Sequence, residues 1–256
     1  MTGAAEAYDR HVGRYGAQLA AELIRVAGVQ PGQRALDVGC GPGPLTRALA
    51  DALGAENVAA VDPSEPFVEA CRTRVPGADV RLGVGERLPF DNGAFDAVLA
   101  QLVVQLMDDR ETGVREMVRV TRPGGIVAAC VWDSATMPVL RAFWDAARDV
   151  APERTAKLDE GRQVGYRDSA ELGELWEAAG LRGVRTGGVL VRARYVSFDD
   201  LMHPFAGGVG HSGALYDSLD EGRRARLRTH LYKQLGNPDG PFTLTARAWW
   251  VRGSSD

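Results

Sequence analysis

Short apolar runs alternate with segments of helical period along the first half of the chain. Ala35-Leu36-Asp37-Val38 and Val58-Ala-Ala-Val-Asp62 each have the length of a buried strand, and 78–83, 94–100 and 126–132 repeat the pattern. Between them, Leu45, Ala48, Leu49 and Leu53 mark one helical face. Residues 64–74 form a second helix stopped by Pro76-Gly77, and 108–121 a third with Val114, Met117, Val118 and Val120 inward. Strands alternating with helices predict an α/β fold with a doubly wound parallel sheet. Ahead of it, Leu19, Leu23, Ile24 and Val26 predict a helix ending near Gly28, with Pro31-Gly32 turning into the first strand. Beyond 132 the pattern loosens. Residues 138–150 read as a helix, and Asp168-Ser169 caps another that stops at Gly180. Residues 184–195 alternate like a strand, 198–236 form an insertion with helices at 198–205 and 214–235, and 242–251 is a last strand.

The chemistry concentrates where the first strand meets the first crossover helix. Gly39, Gly41 and Gly43 follow the strand and Pro44 opens the helix. Glycines permit a sharp turn and close approach of a ligand, and a helix start offers free N–H groups. A dinucleotide fingerprint needs G-x-G-x-x-G, but here Pro44 takes the place of the third glycine. Asp37, two residues before Gly39, suits an ammonium group and repels phosphate. Asp62, at the end of the second run, is placed to accept hydrogen bonds from both hydroxyls of a ribose, or to cap the helix after it.

The segment LDVGCGPGPLTRALA resembles the first motif of class I S-adenosylmethionine-dependent methyltransferases, of the small-molecule, ubiquinone/menaquinone type. DPSEPFVEACRTR resembles the second motif, FDAVLAQLVV the fourth, and the RPGG turn at 122–125 also matches. The resemblance is strong over 34–132 and weak outside. It implies a Rossmann-like seven-stranded sheet of order 3-2-1-4-5-7-6 with the last strand antiparallel. It also implies S-adenosylmethionine as methyl donor, S-adenosylhomocysteine as product and a small-molecule acceptor. The implied cofactor residues are Tyr15, Asp37, Gly39, Gly41, Gly43, Asp62, Pro63, Gly85, Glu86 and Gln101. Residues 1–33 become a helical lid, with Tyr8 or Tyr15 folding over the cofactor. Residues 34–256 become the methyltransferase domain, whose 198–236 insertion shapes the acceptor pocket. One departure stands out. The family pattern Gly-Asp-Ala-Glu-x-Leu-Pro-Phe places an Asp at the adenine amino group, and here Val84 and Gly85 replace the Asp and Ala while Glu86 and Leu88-Pro89-Phe90 are kept.

Composition narrows the partners. The chain has 256 residues, is 45% hydrophobic and 25% charged, and carries a formal charge of −4, which gives no electrostatic case for nucleic acid. No apolar run approaches about 18 residues, so no membrane span is expected. Cys40, Cys71 and Cys130 lack metal-type spacing, which points to reduced thiols in a cytoplasm and no metal site. Methyl transfer from a sulfonium needs orientation more than acid–base work. His203 and His211, in a glycine-rich stretch of the insertion, are the candidate bases if one is needed. Trp132, Phe143, Trp144 and Trp176 either wall a pocket or pack the core. Two other classes fit parts of the pattern: a nicotinamide-dependent oxidoreductase and a non-catalytic module that binds S-adenosylmethionine. The motifs encode neither the acceptor atom nor the oligomeric state.

Overall fold

The computed structural model describes Asp9 and residues 12–133, 136–159, 166, 168–206 and 210–256. Five strands run parallel: β1 (Ala35–Val38), β2 (Val58–Asp62), β3 (Asp79–Leu82), β4 (Phe95–Gln101) and β5 (Thr121–Trp132). β6 (Arg182–Tyr195) and β7 (Phe242–Ser254) complete the sheet, in the order β3-β2-β1-β4-β5-β7-β6. β7 is antiparallel to both neighbours, as the resemblance implied. β1 is buried at every position, since strands lie on both sides of it and helices on both faces.

One face of the sheet carries α1 (Gly16–Ala27), α2 (Pro44–Leu53) and α5 (Pro138–Val150), packed around Leu19, Leu49, Leu99 and Phe143. The other carries α4 (Arg110–Val120) and α7 (Ser169–Ala178), packed around Met117, Val127 and Trp176. α3 (Glu65–Arg74) closes the β2–β3 end through Val68 and Cys71. The helix limits follow from their caps. Gly28 adopts φ 71° and its N–H bonds the carbonyls of Ile24 and Arg25. Asp109 accepts from the Thr112 N–H, and Asp168 from those of Ala170 and Glu171. Trp144 and Trp176 are core residues, and the indole N–H of Trp176 donates to the Val127 carbonyl at 3.1 Å.

The second half differs from expectation in two places. The segment after α5 restarts as α6 (Pro152–Leu158), because Pro152 sits in the first turn of a new helix. The insertion holds three helices, α8 (Phe198–Ala206), α9 (Gly210–Asp217) and α10 (Glu221–Gln234). Asp220 breaks the expected single run by capping α10 through the Arg223 N–H. α8 and α10 pack on α5, where Phe205 stacks on Phe143 at 4.5 Å between ring centroids, and α9 packs on α6.

Candidate functional site

A cleft of about 430 Å³ opens at the carboxyl ends of β1, β2 and β4, where open α/β sheets bind ligands. Gly39 and Gly41 line it beside Asp62, Pro63, Ser64 and Phe67. Val84, Gly85 and Glu86 close one end, and Gln101, Leu102, Val103, Leu106 and Met107 the side.

Asp62 organises the floor. Its Oδ2 accepts the Gly41 N–H at 2.8 Å and its Oδ1 the Ser64 N–H at 2.9 Å. One carboxylate thus ties the glycine loop to the start of α3, and each oxygen keeps a lone pair for a ligand hydroxyl. Burial pushes its pKa up, against the pull of the two backbone donors. Gly39 (φ 72°) is glycine for two reasons. A Cβ there would stand 2.1 Å from Val103 Cγ2, and L side chains disfavour that backbone region. Gly39→Ala is expected to be destabilised by about 1–2 kcal/mol from the backbone and about 1–3 kcal/mol from overpacking. A thermal melt reads the sum, and an unchanged melting point contradicts the packing described.

Glu86 is occupied as well as exposed to the cleft, since its Oε1 accepts the Asp108 N–H at 2.9 Å. Val84 faces the cleft and is 42% exposed, so it does not pack against the sheet. A carboxylate there meets water rather than apolar core. Val84→Asp is therefore expected to tighten S-adenosylhomocysteine binding by less than the roughly 1.5–3 kcal/mol of a new charged hydrogen bond, with the melting point kept. Weaker binding in calorimetry contradicts the alignment of this loop.

Gln101 lines the cleft and is buried. Its Nε2 donates to the Gly16 carbonyl at 3.2 Å, while its Oε1 accepts no hydrogen bond. Asp37 stands on the same face of the neighbouring strand, beneath the floor rather than in the lining. Its Oδ2 accepts from the Thr46 hydroxyl at 2.7 Å, and its Oδ1 is buried without a partner. Burial first, then the nearby Asp62 charge, push the Asp37 carboxyl up to about 7 against the Thr46 hydrogen bond.

Several expected site residues lie elsewhere. Gly43 is outside the lining because it faces α3, where a Cβ would stand 2.9 Å from Cys71 Sγ. Tyr15 is also outside: it is 1% exposed, meets Trp132 edge-on at 5.4 Å and faces the Tyr195 hydroxyl at 3.5 Å. Packing in the core, not a cofactor, holds it there, and burial raises its pKa. His203 and His211 are exposed on α8 and α9 and do not line the cleft. Tyr8 lies outside the described residues. The sequence reading missed Ser64, Phe67 and the Leu102–Met107 wall. Leu102 (φ 63°) turns the chain sharply after β4, and no glycine marks that turn in the sequence.

The model of a methyltransferase domain matches residues 36–129. Over 254 residues the chain is 29% identical to a malonyl-[acyl-carrier protein] O-methyltransferase of Pseudescherichia vulneris, covering 96% of this chain and 92% of that one. It is 31% identical over 185 residues to a demethylmenaquinone methyltransferase of Staphylococcus aureus, covering 65% of this chain and 77% of the relative. The chain belongs to the class I S-adenosylmethionine-dependent methyltransferases. The fold agrees with that of Haemonchus contortus phosphoethanolamine N-methyltransferase 2, solved with phosphomonomethylethanolamine and S-adenosylhomocysteine. The TM-score is 0.59 at 16% identity, with 98% of this chain and 57% of that one covered. The methyltransferase thus uses S-adenosylmethionine to methylate small-molecule substrates, and the oxidoreductase reading has no support. The residues present fit that cofactor. In the lining, the buried Gln101 Oε1 has no partner and suits an ammonium group, with the unpartnered Asp37 Oδ1 beneath the floor, and the two-oxygen acceptor of Asp62 suits a diol.

Proposed function

We propose that this methyltransferase acts on a largely apolar small molecule, with Asp62 accepting the cofactor's ribose hydroxyls, Gly39, Gly41, Pro63, Gly85 and Glu86 shaping its bed, Gln101 facing its ammonium end and Asp37 lying beneath the floor at that end. The observation that carries this reading is the meeting of the glycine loop, Asp62 and Gln101 around one cleft with an apolar side wall. Bound S-adenosylmethionine supplies an electrophilic methyl group on a sulfonium. The chain's own part is to hold both reactants in line and keep water out. Leu102, Val103, Leu106 and Met107 serve that second purpose, and Leu106, 70% exposed at the rim, is where an apolar acceptor meets the protein. The demethylmenaquinone named in one relative and the malonyl-[acyl-carrier protein] named in another set the range of acceptors to test.

The N-terminal segment is read as the lid. Arg74 pairs with Asp9 and also donates to the Pro42 carbonyl of the glycine loop at 3.4 Å. Arg14 pairs with Asp200 of the insertion and lies over the Tyr195 ring. The segment therefore spans from α3 to α8, which supports a joint role with residues 198–236 in shaping acceptor access. Three free, buried cysteines favour a cytoplasmic setting, and the net charge of −4 favours no nucleic-acid partner. Among the described residues no helix is long and apolar enough to cross a membrane.

The test is a screen of quinone-type and acyl acceptors with methyl-labelled S-adenosylmethionine, run on the parent and on Leu106→Asp. The variant is expected to lose at least tenfold in transfer to the best apolar acceptor while keeping its S-adenosylhomocysteine affinity. Equal transfer by both proteins places the acceptor elsewhere.

A further inference from the structure

The carboxyl ends of the strands cross the cleft in the order β4, β1, β2 and β3, and carry Gln101, the glycine loop, Asp62 and residues 83–86 in turn. With an ammonium group at Gln101 and a ribose at Asp62, the β3 end is left for the cofactor's purine. Met107 and Asp108 reach that end from the loop after β4. Two glycines seat Met107. A Cβ on Gly85 would stand 2.6 Å from Met107 Cε, and one on Gly113 would collide with Met107 Sδ. Gly113 lies inside α4, where glycine weakens a helix relative to alanine, and the room it leaves for the thioether is its use there. Asp108 is anchored to the same end: its N–H donates to Glu86 Oε1 at 2.9 Å, and the Asp109 N–H reaches that oxygen at 3.4 Å. Glu86 thus ties the loop after β4 to the loop after β3. The Asp108 carboxylate itself is exposed and lines the cleft, and among the described residues no hydrogen bond or ion pair engages it. Val84, at the same end, is apolar and accepts nothing through its side chain.

We propose that Met107 and Asp108 are the specificity-determining residues for the purine: the Met107 thioether lies against the ring, and the Asp108 carboxylate accepts the hydrogen bond of the exocyclic amino group. The acid that the family pattern puts in the loop after β3 is then supplied from the loop after β4. The assignment rests on the reading of this cleft as the cofactor site. A polarisable thioether packs favourably on an aromatic ring whatever its substituents, so Met107 contributes affinity without selecting among purines. An ionised carboxylate accepts hydrogen bonds and donates none, so Asp108 favours a purine with an amino group over one without a donor there. The two residues therefore divide the work, one holding the ring and the other reading its edge.

The experiment titrates the whole protein in a calorimeter with S-adenosylhomocysteine and with its 6-deamino analogue, in which hydrogen replaces the purine amino group. The parent should bind the analogue about threefold or more weakly than S-adenosylhomocysteine. Asp108→Ala should lose about threefold or more on S-adenosylhomocysteine and nothing on the analogue, so that it binds the two alike. Asp108→Asn keeps a carbonyl acceptor and should restore the preference for the amino group. Met107→Ala should weaken both ligands by the same factor, about twofold or more, and keep the preference. Because Asp108 is exposed, its variants should melt with the parent. The proposal is overturned if the parent binds both ligands alike, if Asp108→Ala keeps the preference, or if Met107→Ala leaves both affinities unchanged. A preference that survives Asp108→Ala and disappears in Glu86→Ala assigns the amino group to Glu86 instead. If the parent binds neither ligand, the cofactor reading falls and this assignment with it. If it binds both and only the preference fails, the assignment alone falls.

Discussion

Asp62→Ala is expected to bind S-adenosylhomocysteine about 10- to 150-fold more weakly than the parent, which is the loss of roughly 1.5–3 kcal/mol of charge-assisted hydrogen bonding. The same substitution also acts on the fold. The Gly41 and Ser64 N–H groups both lose their acceptor, so the melting point should drop as well. From the sequence, ribose binding and helix capping are alternative uses of this acid. In the fold Asp62 accepts from the Ser64 N–H just ahead of α3 and from the Gly41 N–H of the loop on one carboxylate, and the proposed ribose role uses the lone pairs that remain. Calorimetry and a thermal melt separate the contributions. A lower melting point with unchanged affinity reduces Asp62 to a loop anchor and removes it from the cofactor site.

The second large effect concerns Asp37 and pH. Its folded pKa of about 7 stands above the ordinary carboxylate value of 3.8, chiefly through burial. Around it stand the Asp62 carboxyl and the thiols of Cys40, Cys71 and Cys130. A carboxyl whose pKa rises on folding favours the native state when protonated. Its contribution is complete below the unfolded pKa, near 4, and is lost as pH climbs to about 7. At most this loss is on the order of 4 kcal/mol. Asp37→Asn keeps an oxygen for the Thr46 hydroxyl and removes the titration. In ligand-free protein, the variant should gain on the parent steadily from pH 4 to pH 7 and hold a constant lead above that. A melting difference that stays flat over this range contradicts a buried, titrating Asp37.

The parts of the site legible in the sequence are those where local chain order and spatial order coincide. β1, the glycine loop and α2 are consecutive, so the chain order itself brings Gly39 and Gly41 to the strand end where the cleft opens. Asp62 meets that loop because parallel neighbours in a doubly wound sheet bring their carboxyl ends together. Tyr15, His203 and His211 lie off the cleft, at positions that depend on long-range packing. Tyr15 is taken up by Trp132 and Tyr195, from β5 and β6, and the two histidines are on the exposed sides of helices packed on the rest of the insertion and on α5 and α6. Val103 was missed for a related reason. Its role is to fill the space that Gly39 leaves open, and nothing local to residue 103 records that. In the insertion, helical periodicity runs through Ser218–Asp220, and only the side-chain cap of Asp220 divides α9 from α10.

One cleft, built from the glycine loop, Asp62 and Gln101, is the proposed site of the methyl donor. Calorimetric titration of the full chain with S-adenosylhomocysteine, and separately with NAD, tests it most directly. Saturable binding of S-adenosylhomocysteine in the micromolar range at one site per chain, with no heat from NAD, is the predicted result. Tight NAD binding with no response to S-adenosylhomocysteine contradicts it.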